Sequence, residues 1–148
     1  MIINKILCCV DFSSNANKAF KTSIDLADKY SAELHLMHVV PLVINPLITE
    51  IDVALPEESS KALVKMLEDQ MIEEYCTRIK DSINFVISVK NGHVSSEILN
   101  YLKNENIDLV ILGACGLSGV ELVLFGSVAK RIVHKSPCSV MIVRGEIR

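Results

Sequence analysis

The densest chemical signal in this chain is the stretch 113–127, Gly-Ala-Cys-Gly-Leu-Ser-Gly-Val-Glu-Leu-Val-Leu-Phe-Gly-Ser. Gly113 and Gly116 are separated by two residues, nine residues lead on to Gly126, and Ser127 follows at once. Four of the six glycines of the chain fall here: Gly113, Gly116, Gly119 and Gly126. An apolar run at 109–112 precedes the stretch and reads as a buried strand, and a helical pattern begins near Val128. Strand, glycine loop and helix start together let backbone N–H groups and a helix N-terminus hold a phosphate. Glycines admit positive φ and present no Cβ to an approaching anion. The Ser127 hydroxyl and the amides of Ser127 and Val128 can point at it. The spacing is neither that of the P-loop nor G-x-G-x-x-G. The same glycines would also serve a plain loop built for tight turns and close packing.

Two further segments offer chemistry at strand ends. Val10-Asp11-Phe12-Ser13-Ser14 closes the first apolar run, where an aspartate can accept from a sugar hydroxyl or hold a phosphate-bound metal through water. Asp11 or a neighbouring serine can equally cap the helix that follows. His38-Val39-Val40-Pro41 closes the second run, where exposed backbone N–H and C=O can pair with the edge of a base, or where proline simply ends the strand. Other candidates read as structural. His35 and His38 point to opposite faces of one strand and form no metal pair. His93 and His134 stand alone, and Lys130 and Arg131 read as a solvated helix face, although one of them can reach a terminal phosphate. No Ser-His-Asp or Cys-His set is readable, so any nucleotide hydrolysis is expected to be slow. The five cysteines, Cys8, Cys9, Cys76, Cys115 and Cys138, are odd in number and contain no C-x-x-C pair, which fits small buried hydrophobes in a reducing compartment. Cys115 differs in lying within the glycine loop, where amide dipoles can lower a thiol pKa.

The elements that must position these residues alternate. Apolar, β-branched runs at 2–10, 34–40, 85–89, 109–112 and 139–143 read as strands. Between them lie helical patterns. The first carries Ala16, Phe20, Ile24 and Ala27 on one face, with Ser13, Ser14 or Asn15 as cap. The second runs over 57–80 on Val64, Leu67, Met71, Tyr75 and Ile79. The third is short, on Ile98, Leu99 and Leu102, and the last ends near Lys135. Asn91-Gly92 reads as a turn, and residues 41–56, with three prolines, as an apolar loop folded over something. Such alternation implies an α/β fold: a five-stranded parallel sheet, doubly wound and Rossmann-like, with helices on both faces. Ligands of such sheets bind beyond the strand C-termini, where strand order reverses.

The 148 residues are half hydrophobic and 22% charged, with formal net charge −3, which fits one globular domain over 1–148. No basic face bids for nucleic acid. No apolar run approaches the roughly 20 residues of a membrane span. The N-terminus lacks the form of a secretory signal, so a cytoplasmic protein is expected.

Three of these segments resemble the universal stress protein family: V-D-x-S at Val10-Asp11-Phe12-Ser13, a His-Val strand end at His38-Val39, and G-x2-G-x9-G-(S/T) at Gly113, Gly116, Gly126 and Ser127. A helix, a proline and the apolar strand Ser139–Val143 complete the likeness, which covers essentially the whole chain. The resemblance implies sheet order 3-2-1-4-5 and a small regulatory stress-response module that binds an adenine nucleotide. ATP, with Mg²⁺, is the expected ligand. By position, Gly113, Gly116, Gly126, Ser127 and Val128 would hold phosphates, Asp11 would lie near ribose and phosphates, and Val39 would offer its backbone to adenine. A homodimer through Ser139–Val143 is likewise implied. Ala114 and Cys115 stand where members often carry a hydroxyl and a basic or His residue, and Cys8-Cys9 where a proline is common. An interaction protein of the same fold without nucleotide, and a slow ATPase, are the alternative readings.

Overall fold

The computed structural model describes residues 2–41, 57–114 and 126–144. Five parallel strands, β1 (Lys5–Cys9), β2 (Glu33–Pro41), β3 (Phe85–Gly92), β4 (Leu109–Gly113) and β5 (Ser139–Val143), form one sheet in the order β3-β2-β1-β4-β5. The expected order is therefore the observed one. Four helices connect them: α1 (Ser14–Tyr30), α2 (Glu57–Glu74), α3 (Val94–Asn104) and α4 (Ser127–Lys135).

The continuous apolar sequence of β4 reflects its place. Leu109, Val110, Ile111 and Leu112 are all buried, because a central parallel strand is covered on both faces. One layer sets Phe20 of α1 and Met71 of α2 against Ile6, Cys8, Leu36 and Ile111. The other sets Ile98 and Leu102 of α3 and Ile132 of α4 against Leu7, Met37 and Val110. The edges are less covered: Phe85 and Val86 of β3 are each 42% exposed.

Local chemistry sets the helix ends. Ser13 is the residue that caps α1, its Oγ accepting from Ala16 N at 3.1 Å. At the far end Ser31 takes φ 52°, and Ala32 N donates to Ala27 O at 2.9 Å. The helix expected over 57–80 ends at Glu74. The chain there tightens into a 3-10 turn, Cys76–Arg78, through Arg78 N to Tyr75 O (3.0 Å) and Ile79 N to Cys76 O (3.1 Å). Tyr75, at the break, is fully buried. Asn91-Gly92 is not a turn but the end of β3, paired with Val40 and Pro41. Gly92 sits at φ 149°, a backbone conformation that L side chains rarely adopt, so the strand end calls for glycine there.

The two strand histidines do face opposite ways. His35 is 2% exposed and turned toward α3. Its Nε2–H donates to Glu33 Oε1 at 2.7 Å, and its Nδ1 shares a hydrogen bond of 2.8 Å with the Tyr101 hydroxyl. This satisfied chain is structural, since it lies away from the strand C-termini.

Burial also governs the response to alkali. It pushes the Cys8 thiol from 9.0 up to about 12, against a small opposing effect of Ser23. Cys9 rises by burial first and then through Cys8 and Asp11. Tyr75 and Tyr101 are both pushed up to about 12, again chiefly by burial. Each raised group favours the folded state while protonated. Stability is therefore full below pH about 9 and falls as pH rises toward 12, for Cys8 alone at about 1.4 kcal/mol per pH unit. Urea midpoints at pH 8 and pH 10.5 check this, and equal midpoints would contradict it.

Candidate functional site

Beyond the C-terminal ends of β1 and β4, where strand order reverses, the chain forms a cleft of about 290 Å³. This is where an open parallel sheet offers a crevice between loops that diverge to opposite faces. Asp11 and His38 lie on one side, with Val39 beside them. Gly113, Gly126, Ser127 and Val128 lie on the other. Six of the seven residues singled out from sequence thus line one cavity. The seventh, Gly116, lies outside the described residues, as do Gly119, Cys115 and the apolar segment 42–56.

Each wall has a local cause. The β1 exit is tied across to β2, with Val10 N donating to Met37 O at 2.9 Å and His38 Nδ1–H donating to Val10 O at 2.8 Å. Asp11 Oδ1 accepts from Ser13 N at 3.0 Å, a short side-chain turn that leads into the α1 cap.

Val39 follows from ladder geometry. In a parallel strand alternate residues direct N–H and C=O to opposite neighbours. Leu34 N donates toward β3, to Asn84 O, whereas Glu33 N donates to Asn4 O and Met37 O accepts from Val10 N, both on the β1 side. Val39 belongs to the second set and lies beyond Met37, the last β2 residue paired with β1, so its N–H and C=O are directed toward the β1 exit beside the cleft. Pro41, next in that set, has no N–H to offer.

On the opposite wall Gly126 N donates to Ala114 O at 2.9 Å, drawing β4 and α4 together. Gly126 is the N-cap of α4 at φ −63°, ψ 159°, and supplies no side-chain acceptor. Lys130 N bonds Gly126 O, so the amides of Ser127, Val128 and Ala129 are left without an acceptor among the described residues. Neither α1 nor α4 carries an acid in its first turn. Asp11 and the Ser13 cap stand at the α1 start, whereas α4 meets the cleft with its positive end uncompensated among the described residues.

Gly113 has a different reason. A Cβ there would meet Asn15 C at 3.0 Å, Asn15 Cβ at 3.1 Å and Asn15 O at 3.2 Å. The start of α1 itself fills that space, so close packing requires the glycine.

Sequence reasoning missed the apolar wall. Val94 and Ile98, one turn apart on α3, line the cleft with Cys9, Met37, Val39 and Leu112. Ile98 was read only as part of the apolar face of a short helix, and Val94 was not singled out; nothing in the spacing marked the part of that face left open above the sheet. An adjoining recess of about 430 Å³ shares Val94, Ser127 and Val128 with the cleft and is flanked by His93 and Arg131. Lys130 is exposed. Among the described residues no three His, Cys, Asp or Glu side chains gather to hold a metal, and no helix is long and apolar enough to cross a membrane. Asp11 is the one carboxylate among the described residues of the cleft wall.

Comparison with known proteins gives a consistent result. A sequence model described as the universal stress protein family matches residues 3–144. Universal stress protein YxiE of Bacillus subtilis is 30% identical over 153 residues, covering 97% of this chain and 100% of the relative. The solved structure of universal stress protein UspA from Lactobacillus plantarum superposes with TM-score 0.77 at 28% identity, over 97% of this chain and 99% of that one. Two more distant structures share the fold. One is a universal stress protein in complex with cAMP (TM-score 0.62, 17% identity, 97% of this chain and 98% of that one). The other is the Archaeoglobus fulgidus protein in complex with dAMP (TM-score 0.57, 15% identity, 97% and 99%).

Proposed function

The chain belongs to the universal stress protein family, and from that membership and the cleft together we propose that it binds an adenine nucleotide, ATP with Mg²⁺ foremost, as a cytoplasmic regulatory module. The observation that carries the reading is the convergence on one cleft of three α4 amides without an acceptor among the described residues, the Asp11 carboxylate and the end of β2 at Val39. Each suits one part of the ligand. The amides of Ser127, Val128 and Ala129 and the Ser127 hydroxyl take the phosphates, on the wall to which Gly113, Gly116 and Gly126 belong. Asp11 accepts from ribose hydroxyls, and when Mg²⁺ accompanies the phosphates it is the carboxylate placed to meet the ion through water. Val39 offers C=O to the adenine amino group and N–H to the neighbouring ring nitrogen. Guanine presents the reverse pattern, an acceptor oxygen beside an N–H, and is disfavoured. The apolar wall of Val94, Ile98 and Leu112 receives the flat face of the base. The cAMP and dAMP complexes of fold neighbours support this reading.

The same reading includes a homodimer through β5, Ser139–Val143, which lies at one edge of the sheet. Nucleotide in the cleft then changes the surface that the dimer presents to partners. Light scattering of the purified protein tests the assembly, and a monomer at all concentrations would contradict it.

A thermal-shift panel of ATP, ADP, AMP, cAMP and GTP tests the ligand. A nucleotide at a hundred times its Kd stabilises by about 2.7 kcal/mol, a rise of roughly 5–10 °C at this chain length. At least one adenine nucleotide is expected to give such a rise and GTP none. An unmoved midpoint throughout would refute the reading.

A further inference from the structure

At the exit of β1 the chain adopts a conformation that its side chain disfavours. Phe12 sits at φ 63°, the left-handed region that a bulky residue enters only when its surroundings impose it. Those surroundings are aromatic. The His38 ring lies 4.9 Å from the Phe12 ring, and the Tyr75 ring lies 5.8 Å from it. Tyr75 meets Phe20 edge-on at 4.9 Å. It is fully buried, and its ring packs against both Phe12 and Phe20. His38 is held in turn by its bond to Val10 O. Phe12 thus belongs to a row of four rings, with Phe20 from α1, Tyr75 from the break after α2 and His38 from β2.

The residues flanking Phe12 are the ones the cleft needs. Asp11 Oδ1 accepts from Ser13 N across it, and Ser13 caps α1. Any rotation of the main chain at Phe12 swings the Asp11 carboxylate relative to the α1 start. Glycine or asparagine would enter this turn with less strain but would leave it free to move.

We propose that Phe12 is a positioning residue: packed against His38 and Tyr75, it locks the left-handed turn that keeps Asp11 in place for the ribose hydroxyls of the bound nucleotide. The ribose role rests on the nucleotide reading above, whereas the locking of the turn does not. Phe12→Gly removes the ring and relieves the strain, Phe12→Asn does the same while keeping a side chain, and Phe12→Tyr keeps the ring.

The first readout needs no nucleotide. In NMR spectra of the free protein the Ser13 amide, held by Asp11, is expected to be protected from hydrogen exchange. That protection is lost in F12G and F12N and kept in F12Y. Unchanged Ser13 protection in both ring-less variants overturns the proposal. The second readout is calorimetric, with ATP and 2′,3′-dideoxy-ATP. The unaltered protein is expected to prefer ATP. The ring-less variants lose roughly tenfold in ATP affinity together with that preference, and lose nothing further once Asp11 is alanine. Additive losses in the D11A/F12G double variant overturn the ribose role. If the unaltered protein binds neither nucleotide, the nucleotide reading fails and takes the ribose role with it, while the Ser13 exchange protection still decides whether Phe12 locks the turn.

Discussion

Ser127→Glu is expected to make the protein slightly more stable and unable to bind nucleotide. Ser127 opens α4, is exposed, and shares the first turn with no acidic residue. A carboxylate there compensates the helix N-terminus and contributes about 0.3–1 kcal/mol, a rise of roughly 1–3 °C in melting temperature for a chain of this size. The same carboxylate occupies the place of a phosphate. Two unit charges about 4 Å apart in a partly desolvated site repel by about 4 kcal/mol, enough for a loss beyond a hundredfold. Melting curves with and without ATP read both effects. Gain of stability with loss of the ATP response is the expected pair, and an ATP shift equal to that of the unaltered protein would show that the α4 amides do not face the ligand.

Gly113→Val is expected to destabilise the fold by about 2–3 kcal/mol and to damage the cleft with it. The neighbours that a Cβ would strike are the main chain and Cβ of Asn15, which cannot rotate aside. Relief requires the start of α1 to move away from the β4 exit, and both border the cleft through Ala16 and Gly113. Gly126→Ala is the matched control. Gly126 lies at φ −63°, ψ 159°, a conformation that alanine adopts freely, so its cost stays under about 1 kcal/mol as a weaker cap. Urea denaturation separates the two variants. Equal midpoints would show that α1 does not press on Gly113.

These variants divide what the glycine motif announces. In sequence, Gly113 and Gly126 look alike; in the fold, one makes room for a helix and the other caps one. The difference was not legible because the partner that crowds Gly113 is nearly a hundred residues away in sequence, and spacing carries no record of tertiary approach. The strands were legible because apolar β-branched runs mean the same thing wherever they sit, and the sheet order followed from the family likeness. Helix α1 was legible from its apolar stripe and serine cap. The end of α2 was not, since Tyr75 and Ile79 continue the helical period while the chain, with Tyr75 packed between Phe12 and Phe20, tightens to a 3-10 turn. Asn91-Gly92 misled for the converse reason: a strong turn signal is overridden when β2 offers partners as far as Pro41. Phe12 had no signal at all, because a left-handed phenylalanine is made by its neighbours and not by its own propensity.

The most direct measurement of the central claim is a titration of the isotope-labelled protein with ATP, followed by amide NMR. Nucleotide in the cleft predicts saturable shifts gathered at Ser127, Val128 and Ala129 on one wall and at Val39 and Asp11 on the other. Spectra unmoved at millimolar ATP, or shifts gathered elsewhere on the chain, would contradict it.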